Sequence, residues 1–287
     1  MYRIPLALAF LVPVALAQPP GKIASPIEEQ PADPKAAKVV LVAGSGYFKA
    51  GEHDYVGAAA VLADLLRQTP GVAPVVALDW PKKPETLAGA KAVVFFFDGA
   101  EKHAATKADR AAQVAKLADG GCGVVQFHQA VDYPKDFAER ARGWAGAAWE
   151  KGTGERAHWV EEFKTFPDHP VCRGVTPFKI DDGWLWKLTF ADGPGVTPLL
   201  RTWNPKAKDK PKGRQDVVAW AYESGAKRGF SFTGGHLHAS FAEEGYRRFL
   251  TNGILWAAGV DVPKGGAKVD LDPKALPQYL SPAPKKK

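Results

Sequence analysis

The sequence predicts an α/β fold: a mostly parallel sheet with helices on both faces and a more β-rich second half. Two observations carry this. In residues 37–127, short continuous apolar runs alternate with stretches of helical apolar spacing, the pattern of strands buried on both faces and of the helices that cross between them. From residue 157 to residue 232 five further strand-like segments follow, before one closing helix.

Taken in order, residues 38–43 are a β-branched apolar run ending in Gly44, Ser45 and Gly46, and residues 56–66 then place apolar side chains at helical spacing. Residues 73–78 read as a strand, 92–97 as a fully apolar strand, 104–117 as an alanine-rich helix and 123–127 as another strand. Strands are expected at 157–163, 184–188, 196–202, 217–222 and 229–232. A helix over 241–258 closes the set, with Tyr246, Phe249, Leu250, Gly253, Ile254 and Ala257 on one apolar face. The 24 Pro and 29 Gly among 287 residues require many turns, which excludes coiled coil and collagen.

The two ends have a different composition. Residues 1–17 hold one basic residue, Arg3, an apolar run from Ile4 to Val14 broken by Pro5 and Pro13, and the small residues Ala15 and Ala17. That arrangement is a secretory signal with cleavage near Ala17, and it predicts an exported protein, periplasmic or extracellular. No stable membrane anchor is expected, because the run falls short of the roughly 20 residues a spanning helix needs. Residues 18–36 read as a linker, 37–260 as the folded domain and 261–287 as a Pro/Lys-rich tail, extended along the surface or disordered. Residues 206–214, where Lys alternates with Pro and Ala, read as a solvated insertion. The formal charge of +7 is mostly terminal: residues 264–287 hold a net +4 and 18–263 only +2. So diffuse a footprint excludes a nucleic-acid partner.

In an open parallel sheet, ligands bind at the carboxyl ends of the strands. Strand 38–43 leads there to Tyr47 and then to Glu52, His53, Asp54 and Tyr55; strand 92–97 ends at Asp98, and strand 123–127 at His128. Strand 229–232 leads through Gly234 and Gly235 to His236 and His238, so four of the seven histidines fall at this edge. His236 and His238 lie two apart, which in extended backbone turns both imidazoles to one side. With His128 or His53 they would complete a three-ligand site for a divalent metal, zinc or another transition metal. Without metal, His128 with Asp98 or Asp54 would serve as a general base held by a carboxylate. Trp144 and Trp149, in the Gly-rich segment 143–154, either pack in the core or line a lid that stacks on a sugar ring. Asp181 and Asp182 read as a turn rather than an acid/base pair. Cys122 precedes its strand and so belongs to the opposite edge, as a structural thiol or as the disulfide partner of Cys172. Lys49 stands where a dinucleotide fingerprint needs its third glycine after Gly44 and Gly46, so no nucleotide cofactor is expected.

Several ordered segments resemble the ThuA-like (trehalose utilisation) family. They are 42–47 (Val-Ala-Gly-Ser-Gly-Tyr) with 51–55 (Gly-Glu-His-Asp-Tyr), 121–130 (Gly-Cys-Gly-Val-Val-Gln-Phe-His-Gln-Ala), 168–175 leading to 180–182, and 229–236 before the helix ending at 253–259. The resemblance spans about 38–260 and implies a flavodoxin-like fold of the class I glutamine amidotransferase-like kind. It puts His128 at the elbow where amidotransferases carry a nucleophilic cysteine, so glutamine hydrolysis is not expected. It also implies a small-molecule carbohydrate, particularly an oxidised (3-keto) sugar. By motif, His128 and His236 carry over as acid/base residues or metal ligands. The reading of the residues adds Asp98 to orient them, His238 as a further metal ligand, and Tyr47, His53, Asp54 and Trp144 as substrate-binding candidates. Two functions stand side by side: a carbohydrate-active hydrolase, lyase or isomerase, and a non-catalytic carbohydrate-binding or scaffold protein of the same fold.

Overall fold

The computed structural model describes residues 25–207 and 215–283. The leader expected at 1–17 and most of the insertion expected at 206–214 lie outside the described residues. The first half runs β1 (Ala37–Ala43), α1 (Tyr55–Leu66), β2 (Val72–Leu78), the short α2 (Pro84–Leu87), β3 (Ala92–Phe96), α3 (Arg110–Asp119), β4 (Gly123–Phe127) and α4 (Lys135–Ala145). The second half is β5 (Ala147–Ala148), β6 (Glu155–Phe163), β7 (Phe178–Trp186), β8 (Thr189–Phe190), β9 (Val196–Thr202), β10 (Asp216–Ser224), β11 (Lys227–Phe232) and α5 (Glu244–Ala257).

Seven strands form the main sheet in the order β2-β1-β3-β4-β11-β10-β9. The strands from β2 to β11 pair in parallel, and β10 and β9 add antiparallel neighbours at one side. The pleat explains why the central strands read as unbroken apolar runs. Val39, Leu41 and Ala43 of β1 pack with α1 and α5 on one face, while Val40 and Val42 pack with α3 and α4 on the other. Val94 and Phe96 of β3 divide from Val93 and Phe95 in the same way. The antiparallel pair β6–β7 lies outside the main sheet and packs onto the α5 face through Trp159, Phe163, Phe178, Ile180 and Trp184.

Several sequence expectations need correction. The helix expected at 104–117 is a 3-10 turn at Ala104–Thr106 followed by α3, because Ala108 takes φ +49 and breaks the run. The strand expected at 184–188 is the end of β7, and Asp181 and Asp182 lie inside that strand rather than at a turn. Helix α4 fills part of the segment that was to form a lid. Gly146, at φ +82, ends it, and Ala138, Ala141, Trp144 and Ala145 form its buried face. The tail is packed rather than loose as far as residue 283. Val262, Ala267, Val269, Leu276 and Tyr279 are buried against the α1 and α5 layer, while Lys264, Lys268 and Lys274 face solvent. Asn252 of α5 fastens it, accepting from Ala267 N (2.8 Å) and donating to the Val171 and Arg173 carbonyls. Part of the expected linker is also held: the buried Glu28 carboxylate accepts from Lys82 N, Lys83 N and Thr86 Oγ1.

Cys122 and Cys172 are free and buried in clusters on opposite faces of the sheet, and burial pushes both thiols up to about 12. Among the described residues, no helix is long and apolar enough to cross a membrane.

Candidate functional site

Three strands deliver three histidines to the carboxyl edge. His53 comes from the loop after β1, His128 stands directly after β4, and His236 lies four residues beyond β11. One ligand atom from each lies within 4.8 Å of the other two. His53 and His128 hold the left-handed backbone, at φ +50 and +51, a conformation that costs a non-glycine residue about 1–2 kcal/mol. Such strain collects at functional sites, where the surrounding structure enforces it.

The hydrogen bonds assign the imidazole tautomers. His128 Nδ1 faces the Thr233 carbonyl at 3.1 Å and donates to it, which leaves Nε2 bare. The Tyr55 hydroxyl donates to Asp98 Oδ1 (2.9 Å) and accepts from His53 Nδ1 (3.1 Å), an arrangement that in the neutral ring leaves His53 Nε2 bare as well. The two bare nitrogens face each other at 3.2 Å. Two lone pairs so placed repel unless a shared proton or a metal ion lies between them. Two nitrogens held about 2.0–2.1 Å from one tetrahedral metal ion stand about 3.4 Å apart, so the spacing fits a shared ion. Burial, and after it the neighbouring His53, holds His128 well below the ordinary imidazole range; the same causes, in the same order, bring His236 down to about 4. Both rings are therefore neutral at physiological pH, the state a ligand needs.

The surroundings hold these rings in place. Asp98, which accepts from the Tyr55 hydroxyl and lies 3.8 Å from His53 Nδ1, is drawn down to about 2, chiefly by the adjacent His53. It thus orients His53, not His128 or His236 as the sequence suggested. Asp182 is fully buried and accepts from Gly183 N (2.7 Å), His236 N (2.8 Å) and Gly235 N (2.9 Å). Burial raises its carboxyl to about 7 despite those donors. This carboxylate fixes the loop that carries His236, and the His53 amide donates to the His236 carbonyl (3.0 Å), tying together two loops of the histidine cluster. Gly183 leaves room beside it: a Cβ there would stand 3.1 Å from the His236 ring and press on it.

The rim mixes charge and aromatic surface. His158 of β6 stands edge-on to His236 at 5.2 Å and 3.5 Å from Asp181, and Glu52 lies 3.8 Å from His236 Nε2. Phe48 is 65% exposed and stacks on His53, with centroids 5.1 Å apart. Arg156 lies 4.1 Å over Trp149 and pairs with the buried Asp132 at 2.5 Å.

The structure brings together His53, His128, His236 and Asp98 of the expected set, and Tyr47 sits exposed on the loop that leads to His53. Four expectations are corrected. His238 turns away from His236, because the 3-10 turn His238–Ala242 begins there; its Nε2 reaches the Leu276 carbonyl at 3.3 Å. His53, expected to bind substrate, takes its place in the cluster. Asp54 caps α1, accepting from Gly57 N (2.9 Å) and from Ser281 of the tail. Trp144 is buried among core residues beneath α4, and Trp149 is buried under Arg156. Sequence reasoning placed Tyr55 at this edge without a role, read Asp182 as part of a turn and missed His158. An aspartate before glycine inside an alternating apolar strand is the one signal that would have marked Asp182.

The sheet order and the edge cluster define an α/β protein with a flavodoxin-like, mostly parallel central sheet and a histidine centre at its carboxyl edge. The model of the trehalose utilisation family (ThuA) matches residues 38–257, and the chain belongs to that family, which supports a carbohydrate-related role. A ThuA-like protein from Parabacteroides merdae is similar in structure, with 18% identity and a TM-score of 0.56 over 82% of this chain and 96% of that one. One from Bacteroides uniformis gives 18% identity and a TM-score of 0.57 over 81% of this chain and 95% of that one. The carbohydrate deacetylase Agd3 is 14% identical with a TM-score of 0.50; the match covers 78% of this chain and 32% of that protein. At these identities the likeness is one of fold. No curated protein matches the sequence significantly.

Proposed function

We propose that the protein is an exported enzyme that acts on a sugar or modified (3-keto) glycoside with the help of a divalent transition metal held by His53, His128 and His236. The observation that carries this is the pair of bare Nε2 atoms at 3.2 Å, with His236 completing a set within 4.8 Å. Three neutral nitrogen ligands leave a coordination position open for a hydroxyl, a carbonyl or water, as in catalytic zinc sites. Such an ion polarises a carbonyl or lowers the pKa of bound water, and both suit keto-sugar chemistry. The leader at 1–17 supports export, and the family supports the substrate class. The likeness in fold to Agd3, a carbohydrate deacetylase, supports the same substrate class.

The test is the metal content of residues 18–287, purified without a His tag, beside His53→Ala and His128→Ala variants. About one equivalent of a transition metal, lost in both variants, is expected. A metal-free protein that also fails to take up zinc, manganese, iron or nickel on reconstitution would overturn the reading.

A further inference from the structure

A cavity of about 260 Å³ opens beside the histidine cluster, between the carboxyl ends of β1 and β3. Its position has a topological cause. In the order β2-β1-β3-β4 the connection after β1 leads to β2 and the one after β3 leads to β4, in opposite directions, and a crevice forms at that switch point. Gly44 and Gly46 line the β1 side without side chains, so a ligand can approach the backbone closely. Tyr55 and Asp98 belong to this wall and to the support of His53 alike.

The charges lining the cavity are unevenly matched. Asp79 is taken up by Ser45, accepting from its amide (2.8 Å) and its hydroxyl, while Asp98 accepts from Tyr55 and pairs with Lys102 at 3.6 Å. Lys107 and Arg110 make no ion pair with a carboxylate among the described residues. The Lys107 ammonium donates to the Glu101 carbonyl, and the Arg110 guanidinium donates to the Ala104 carbonyl (3.1 Å) while lying 5.0 Å over Trp80. Two cations held at a cavity wall by carbonyls and an aromatic face retain their capacity for an anion, and the arginine fork suits carboxylate and phosphate alike.

We infer that this cavity is an anion subsite, and that the carbohydrate bound here carries a carboxylate or phosphate group seated against Lys107 and Arg110, with its ring directed to the histidines. The carbohydrate part rests on the proposed function; the anion part does not. The volume lies below the about 300–1,000 Å³ of sites that enclose a whole drug-sized ligand, so it suits a charged substituent and part of a ring.

Calorimetric titration of residues 18–287 with glucuronate, glucose 6-phosphate, inorganic phosphate and glucose tests this. At least one charged sugar is expected to bind tenfold or more tighter than glucose, and to weaken as salt rises. Lys107→Gln/Arg110→Gln is expected to remove that tenfold preference with metal content unchanged; Lys107→Gln alone, at an exposed position, provides a variant whose folding is not at risk. Binding of glucose 6-phosphate and phosphate without glucuronate identifies the group as phosphate, and the reverse identifies a carboxylate. Glucose binding as tightly as the charged sugars, no charged probe binding, or charged binding untouched in the double variant would overturn the inference. Anion binding that persists in a protein unable to hold metal would sink the metal reading and leave this one standing.

Discussion

Replacing Asp182 tests whether the His236 loop is held by one buried carboxylate. In Asp182→Ala the amides of Gly183, Gly235 and His236 lose their acceptor in a fully buried setting. Each unsatisfied buried donor costs about 1–3 kcal/mol, and removal of a desolvated charge returns part of that, so a net loss of about 3 kcal/mol is expected. Asp182→Asn keeps one oxygen for Gly183 and His236 but turns an NH₂ group towards the Gly235 amide, and about 1–2 kcal/mol is expected. The two variants are compared by urea unfolding and by metal content after dialysis against a weak chelator. If the proposed metal site holds, both should lose metal affinity before they lose the fold, because the damage is confined to the loop carrying His236. An Asp182→Ala protein with unchanged unfolding midpoint and unchanged metal retention would refute the reasoning.

Two further outcomes follow from groups away from the site. Burial opposes the Glu28 charge, but its donors outweigh it and hold the carboxyl below its ordinary value of 4.5. Its contribution is thus present above the unfolded pKa and lost as pH falls through the folded one. Glu28→Gln should cost about 1–2 kcal/mol at neutral pH, with the gap to the parent closing as pH falls below the ordinary carboxylate range in unfolding titrations; a gap independent of pH would count against this role. For the cysteines, thiol titration should find neither group reactive in the native protein and both reactive in denaturant, whereas recovery of both only after reduction would mean that they pair.

The parallel core was legible because its strands are buried on both faces. Residues 38–43, 92–97 and 123–127 carry an apolar signal at nearly every position, which no loop can satisfy, and the positions after them contained His128 and Asp98. Helix α4 was less legible. Its buried face is mostly alanine, and its nearby glycines resemble loop punctuation until Gly146 is seen as the residue that ends the helix. The tail misled in the same way: its lysines dominate the composition, while the widely spaced Val262, Val269, Leu276 and Tyr279 do the packing.

The sequence by itself determined the class of fold and the edge at which a ligand sits, since both depend on local periodicity and strand direction. Which side chains meet at that edge was decided only by tertiary structure. His236 and His238 are two residues apart yet diverge, because a 3-10 turn begins between them; His53 and His128 are 75 apart in sequence yet face each other at 3.2 Å. Asp182 shows the physical reason. A buried carboxylate persists only where donors from elsewhere in the chain meet it, and its donors at Gly235 and His236 lie more than 50 residues away, where no local pattern records them.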